Sequence, residues 1–123
     1  MRVAEIISRA EALGLPIAEN EFKKTKKNPL PDPPYIIWYE DESLNDGADK
    51  VVLFKKRNMV LELYTDKVAD KLLKILEERL EQKVFFDIGH KKYQAPVEGE
   101  DLVQTAYNFV VTEKVPKAER IYE

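Results

Sequence analysis

The chain has no cysteine among its 123 residues. That excludes disulfides, a thiolate metal site and a cysteine nucleophile, and it fits synthesis in a reducing, intracellular compartment. The single histidine, His90, excludes a metal site built on two imidazoles. Flanked by Lys91 and Lys92, it reads as an exposed side chain at a strand end. With only four glycines, there is no glycine-rich phosphate loop. Serine is confined to Ser8 and Ser43, and neither stands in the glycine-flanked elbow that presents a nucleophilic serine. No apolar run approaches the ~20 residues of a membrane-spanning helix. Glu5, Arg9 and Glu11 break the N-terminal apolar rhythm that a secretory signal keeps whole. Net positive charge is missing as well: the formal charge is −3 at pH 7, which argues against a general nucleic-acid binder.

What is present is 44% hydrophobic and 35% charged residues, the balance of a folded domain with a strongly solvated outside. Val3, Ile6, Ile7, Ala10 and Leu13 recur at helical spacing, which predicts an amphipathic helix over residues 3–13 ended by Gly14. Residues 15–34 hold a lysine run and then Pro29, Pro31, Pro33 and Pro34, which withhold N–H donors and keep the chain extended. This stretch reads as an unpaired surface arm or crossing loop. Residues 35–39 are β-branched and aromatic and predict a strand. Residues 51–54 and 59–64 are again strand-like, with Met59, Leu61 and Leu63 on one face. They form either a hairpin turning at Lys56, Arg57 and Asn58 or one long bent strand.

Thr65 and Asp66 are good helix caps, and Val68, Ala69, Leu72, Leu73, Leu76 and Leu80 line one side of the segment that follows. Residues 83–88 alternate as a strand, Pro96 and Gly99 mark a turn, and residues 103–111 alternate over a last long strand. The chain therefore reads as one α+β domain over residues 1–113, with a charged, mobile tail over 114–123. Its expected architecture is a mainly antiparallel sheet of four to five strands with two helices on one face, in the order α-β-β(-β)-α-β-β.

The acids Glu40, Asp41, Glu42, Asp46 and Asp49 crowd the connection around Gly47. Placing Gly47 at the sixth position of a calcium loop puts Leu44 and Leu53 where oxygen ligands are required, so that reading fails. A catalytic carboxylate pair needs a cleft that perturbs its pKa, and a solvated charged turn needs none. Lys23, Lys24, Lys26 and Lys27 could neutralise phosphates, with Phe22 nearby for stacking, or simply solvate a loop. Tyr35, Trp38 and Tyr39 are candidate interface anchors, while alternate members of that strand could equally pack a core. No catalytic residue, metal ligand or cofactor site is expected.

The series PPYIIWYEDES, GADKVV and MVLELYTDKVADKLLKILEERL resembles a family of small tail-completion proteins of long-tailed phages and prophages, of the tail-terminator or head-tail joining type. The matching residues are 34–39, 48–52 and 62–65 with the helix after them, and the resemblance covers most of residues 3–112. It implies a non-enzymatic virion tail protein, made in the bacterial host cytoplasm, that forms a ring, usually a hexamer. Such a ring stops tail-tube growth and presents a surface to the head connector. Tyr35, Trp38 and Tyr39 would then make subunit or partner contacts, with Lys23, Lys24, Lys26 and Lys27 as a docking arm. Glu40, Asp41, Glu42, Asp46 and Asp49 would line the bore and repel passing DNA, which is not specifically bound. The long charged C-terminal tail and the weakly acidic 94–102 region depart from the family pattern. The competing expectation is a small cytoplasmic regulatory module that holds a peptide or metabolite on the open face of its sheet, without catalysis or membrane contact.

Overall fold

The computed structural model describes residues 2–23, 30–42 and 54–114. The apolar rhythm of the N-terminus becomes helix α1, Val3–Glu11, which buries Val3, Ile6, Ile7 and Ala10. The helix is left through Gly14 at φ 82°, a left-handed conformation that glycine adopts without a Cβ clash.

Strand β1, Ile17–Glu19, then overturns the expectation of an unpaired arm, because it runs parallel to β2, Tyr35–Glu40, with Ile17 beside Ile36. Pro16 stands just before the strand and the proline series starts at Pro29, so residues 17–19 keep every N–H donor. Flanking bonds from the Ile36 N–H to the Pro16 carbonyl and from the Asn20 N–H to the Trp38 carbonyl, both 2.8 Å, close the pair at its ends.

Strand β3, Phe54–Asp66, is one continuous strand of 13 residues. That settles the choice left open by the sequence against a hairpin at Lys56, Arg57 and Asn58. It is about 40 Å long at ~3.4 Å per residue. Helix α2, Asp70–Arg79, follows, and a π-helical turn, Leu80–Val84, prolongs it. Strands β4, His90–Pro96, and β5, Leu102–Lys114, complete a sheet of order β1-β2-β3-β5-β4. The β4–β5 hairpin closes through a bond of 2.9 Å from the Val97 N–H to the Leu102 carbonyl, with Gly99 at φ 79°. Among the described residues only β1–β2 is parallel; the other pairings are antiparallel. The fold is the expected α+β arrangement, with five strands and two helices.

Two local expectations fail here. Residues 83–88 are not a strand: the Phe85 N–H reaches back to the Leu80 carbonyl at 2.9 Å, and β4 starts only at His90. The physical reason lies in the spacing of Leu76, Leu80 and Val84. At 3.6 residues per turn, side chains four apart drift by about 40°, and a widened turn cancels the drift. It thereby buries Leu80, Val84 and Phe85 together. The core side of α2 also differs from the expectation, since Val68 is 87% and Leu72 38% exposed. Val68 stands before the helix, where its N–H is held by the Asp66 side chain at 3.0 Å. The helix cap itself is Ala69, and Thr65 is a buried strand residue rather than a cap.

Both helices cover the same face of the sheet. Their apolar residues pack with Ile36, Met59, Leu61, Leu63, Tyr107, Phe109 and Val111 in one core, with Trp38 at its margin. These positions share strand parity: β3 and β5 pair Leu61 with Tyr107 and Met59 with Phe109. Lys114 pairs with Phe54 across β3 and β5.

Candidate functional site

Parity sends the other half of each strand to the opposite face, which no described element covers. Tyr35, Ile37 and Tyr39 come from β2, Val60, Glu62 and Tyr64 from β3, Gln104 and Ala106 from β5, and Tyr93 from β4. At its centre the Glu62 carboxylate accepts hydrogen bonds from the Tyr39 hydroxyl (3.2 Å), the Tyr64 hydroxyl (3.0 Å) and the Gln104 amide (2.9 Å). Gln104 also donates to the Tyr64 hydroxyl oxygen at 2.9 Å. Tyr35 stacks on Tyr64 with centroids 5.0 Å apart, and Phe22 meets Tyr35 edge-on at 5.5 Å.

This arrangement fixes the ring positions before any partner arrives. Burial and then the Glu62 charge push the Tyr64 hydroxyl up to about 12, although the Gln104 bond works the other way. Burial, followed by Glu62, raises Tyr39 too, and burial with a smaller effect of Glu100 raises Tyr35. All three phenols stay protonated near neutral pH, and those of Tyr39 and Tyr64 donate to Glu62. A half-buried patch of tyrosines tied to one carboxylate suits contact with another macromolecule, because tyrosine supplies contact area with few rotamers to freeze.

A second cluster stands on the packed face at the end of the sheet. Arg57 Nη2 lies 2.9 Å from Glu40 Oε1, and Nη1 lies 3.0 Å from Glu113 Oε2. Glu113 Oε1 also accepts the Val3 N–H at 2.7 Å. Because Arg2 offers α1 no side-chain cap, a carboxylate from the last strand takes that place. Burial raises the Glu113 carboxyl, but the Val3 N–H and Arg57 outweigh it and hold it below its ordinary value. The cluster thus ties α1, β2, β3 and β5 together.

The residues marked in the sequence are therefore divided. Tyr35 and Tyr39 belong to the open face, whereas Trp38, their neighbour, lies at the core margin. Lys23 is exposed, while Lys24, Lys26 and Lys27 lie outside the described residues. Glu40 turns into the packed face onto Arg57. Asp41 is half-buried, with its N–H on the Asn58 carbonyl at 2.8 Å, and Glu42 is exposed. Asp46 and Asp49 lie outside the described residues. His90 is not the exposed residue expected from its lysine neighbours. Its ring lies 5.0 Å from Phe85 and 5.8 Å from Tyr107, centroid to centroid, with Nδ1 3.3 Å from the Ile88 carbonyl oxygen.

Glu62, Tyr64 and Gln104 were not singled out by sequence reasoning. Alternation in β3 already puts Glu62 and Tyr64 opposite Leu61 and Leu63. Gln104 becomes their neighbour only through the β3–β5 register. Among the described residues no cluster of three or more metal-binding side chains occurs, and no helix is long and apolar enough to cross a membrane. What the geometry defines is an α+β domain with one packed sheet face and one that no described element covers. No protein-family model matches the chain, and no curated protein sequence matches it significantly.

Proposed function

We propose that this chain is a non-enzymatic assembly protein of a phage or prophage tail, forming a ring that terminates the tail tube and joins it to the head. The observation that carries the reading is the bare face, where Tyr35, Tyr39 and Tyr64 are held in place around Glu62. A surface fixed in advance loses little side-chain entropy on contact. The quoted motifs support the reading by where they fall: PPYIIWYE supplies β2, and the ELYT segment ends β3 just before α2.

In this reading the tyrosine face contacts a neighbouring copy or the tail tube, and the contact is heterologous, so that rotation closes a ring. Glu42, Asp41, Asp46 and Asp49 face the bore and keep DNA from adhering. Glu40 contributes least to that field, because Arg57 lies against it.

Light scattering on a size-exclusion column tests the proposal, with the chain alone and with purified tail tubes. The expected result is a discrete ring-sized species or stoichiometric capping of tube ends, lost in Tyr39→Ala without loss of fold. A monomer that neither assembles nor caps tubes overturns it.

A further inference from the structure

The sheet is not equally wide along its length. Strand β4 begins at His90, opposite Phe109, yet β5 continues to Lys114 with β3 as its sole described partner. Over residues 110–114 the edge of β5 that faces away from β3 is therefore unpaired among the described residues. Backbone groups of alternate residues point to each side of an antiparallel strand, so this edge presents both donors and acceptors.

A cavity of about 680 Å³ adjoins that edge on the open face. Val60, Tyr93 and Val110 supply its apolar wall, with the Asn58 and Asn108 side chains between them and the turn at Ile88 and Gly89 at its end. Tyr93 is 56% and Val110 40% exposed. Lys91 also lines the cavity, and register places Lys56 and Lys114 on the same face of the β3–β5 extension. None of these three lysines has a carboxylate partner among the described residues. Among the described residues, Asp41 is the one carboxylate in the lining.

We propose that this notch is a docking site for an extended acidic segment of a partner protein, which adds to β5 as a strand in line with β4. The free edge selects an extended main chain. Side-chain alternation along that strand sends every second residue into the cavity, where Val60, Tyr93 and Val110 take an apolar group. The lysines select acidic residues near it. A proline at a donating position of the segment is excluded, because it lacks the N–H that the edge requires.

The test uses the full chain, isotope-labelled, and a capped seven-residue peptide of alternating glutamate and valine. Binding is expected to shift the amide signals of residues 110–114, Val60 and Tyr93, and to slow exchange of alternate amides in 110–114. Two control peptides are expected not to bind: one with lysine in place of glutamate, and one with N-methyl groups along its bonding edge. The double variant Lys91→Glu, Lys114→Glu, with an unchanged amide spectrum elsewhere, is expected to bind the glutamate peptide about tenfold or more weakly.

Three results overturn the proposal. The amides of 110–114 could stay unchanged at saturating peptide, in which case the lysines only guard a bare edge against pairing. The N-methylated peptide could bind equally well, which removes strand addition as the mode. Or the same amides could become protected in the free chain as its concentration rises, which gives the edge to a second copy instead.

Discussion

Leu61 and Glu62 are neighbours on β3, yet they serve opposite ends. Leu61 is fully buried beneath the helices and contributes through the water it excludes. Glu62 lies on the bare side and collects hydrogen bonds from Tyr39, Tyr64 and Gln104. One face of the sheet holds the domain together by filling space. The other holds a pattern of rings and polar groups in place with no described element over it. The difference teaches that core packing and the polar network of the open face can be altered separately here, by changing residues one position apart.

The largest effect is expected on the packed face. Leu61→Ala should lower unfolding free energy by about 3 kcal/mol, from lost burial plus the cavity left behind. Urea denaturation measures this. Tyr39→Ala, on the open face, should cost about 1 kcal/mol in the same assay while removing most ring formation or tube capping. Equal losses of stability in the two variants would break the comparison.

Next comes the Arg57 cluster, which belongs to the packed face by position but works through charge. Arg57→Ala leaves Glu40 and Glu113 half-buried without their cation and should cost about 2 kcal/mol. Arg57→Lys should recover part of it, because an ammonium cannot bond both carboxylates with the geometry of a planar guanidinium. Faster amide exchange in the first turn of α1 is expected in Glu113→Ala, which loses the Val3 bond.

Acid should expose the same cluster. The folded Glu113 carboxyl is held below its ordinary value of 4.5, so its contribution is fully present above that pH. It is lost as pH falls through the depressed folded value. Asp87, lowered chiefly by its bond to Arg9, acts in the same direction. Glu113→Gln should be less stable than the parent at neutral pH and show a shallower loss on acidification, measured by thermal melts from pH 7 to 3. Parallel acid limbs would remove Glu113 from the account. The smallest effect is expected at Val68, 87% exposed: Val68→Ser should change stability by less than ~0.5 kcal/mol, which would confirm that the apolar stripe of α2 begins inside the helix.

Much of this was legible in the chain itself. Alternation over residues 103–111 and the apolar rhythm of residues 3–10 identify β5 and α1, since a strand and a helix turn their side chains with different periods. The left-handed exit at Gly14 was equally readable. The mainly antiparallel sheet followed from short connections. Tyr35, Trp38 and Tyr39 stand together in the sequence as candidate anchors, and strand alternation puts Tyr35 and Tyr39 on one face and Trp38 on the other. For the candidate site that is where legibility ended: Glu62 was visible as a residue but not as the acceptor at the centre of a network.

The rest depended on contacts between segments far apart in sequence. Three residues of β1 carry too weak a local signal, and a parallel partner across the proline stretch makes them a strand. The alternating look of residues 83–88 lost to the core, which draws Val84 and Phe85 inward through a widened turn. Trp38 and Tyr39 look alike in the sequence, and only the placement of two helices on one face decided which would pack and which would stay bare. Likewise Glu40, Arg57, Glu113 and the Val3 N–H meet only when β2, β3, β5 and α1 are assembled. The sequence by itself determined the type of most elements and the face each residue shares, because those depend on local periodicity. The tertiary structure alone decided which face is covered, where β4 stops pairing with β5, and which charges meet, because burial and pairing are properties of neighbours in space.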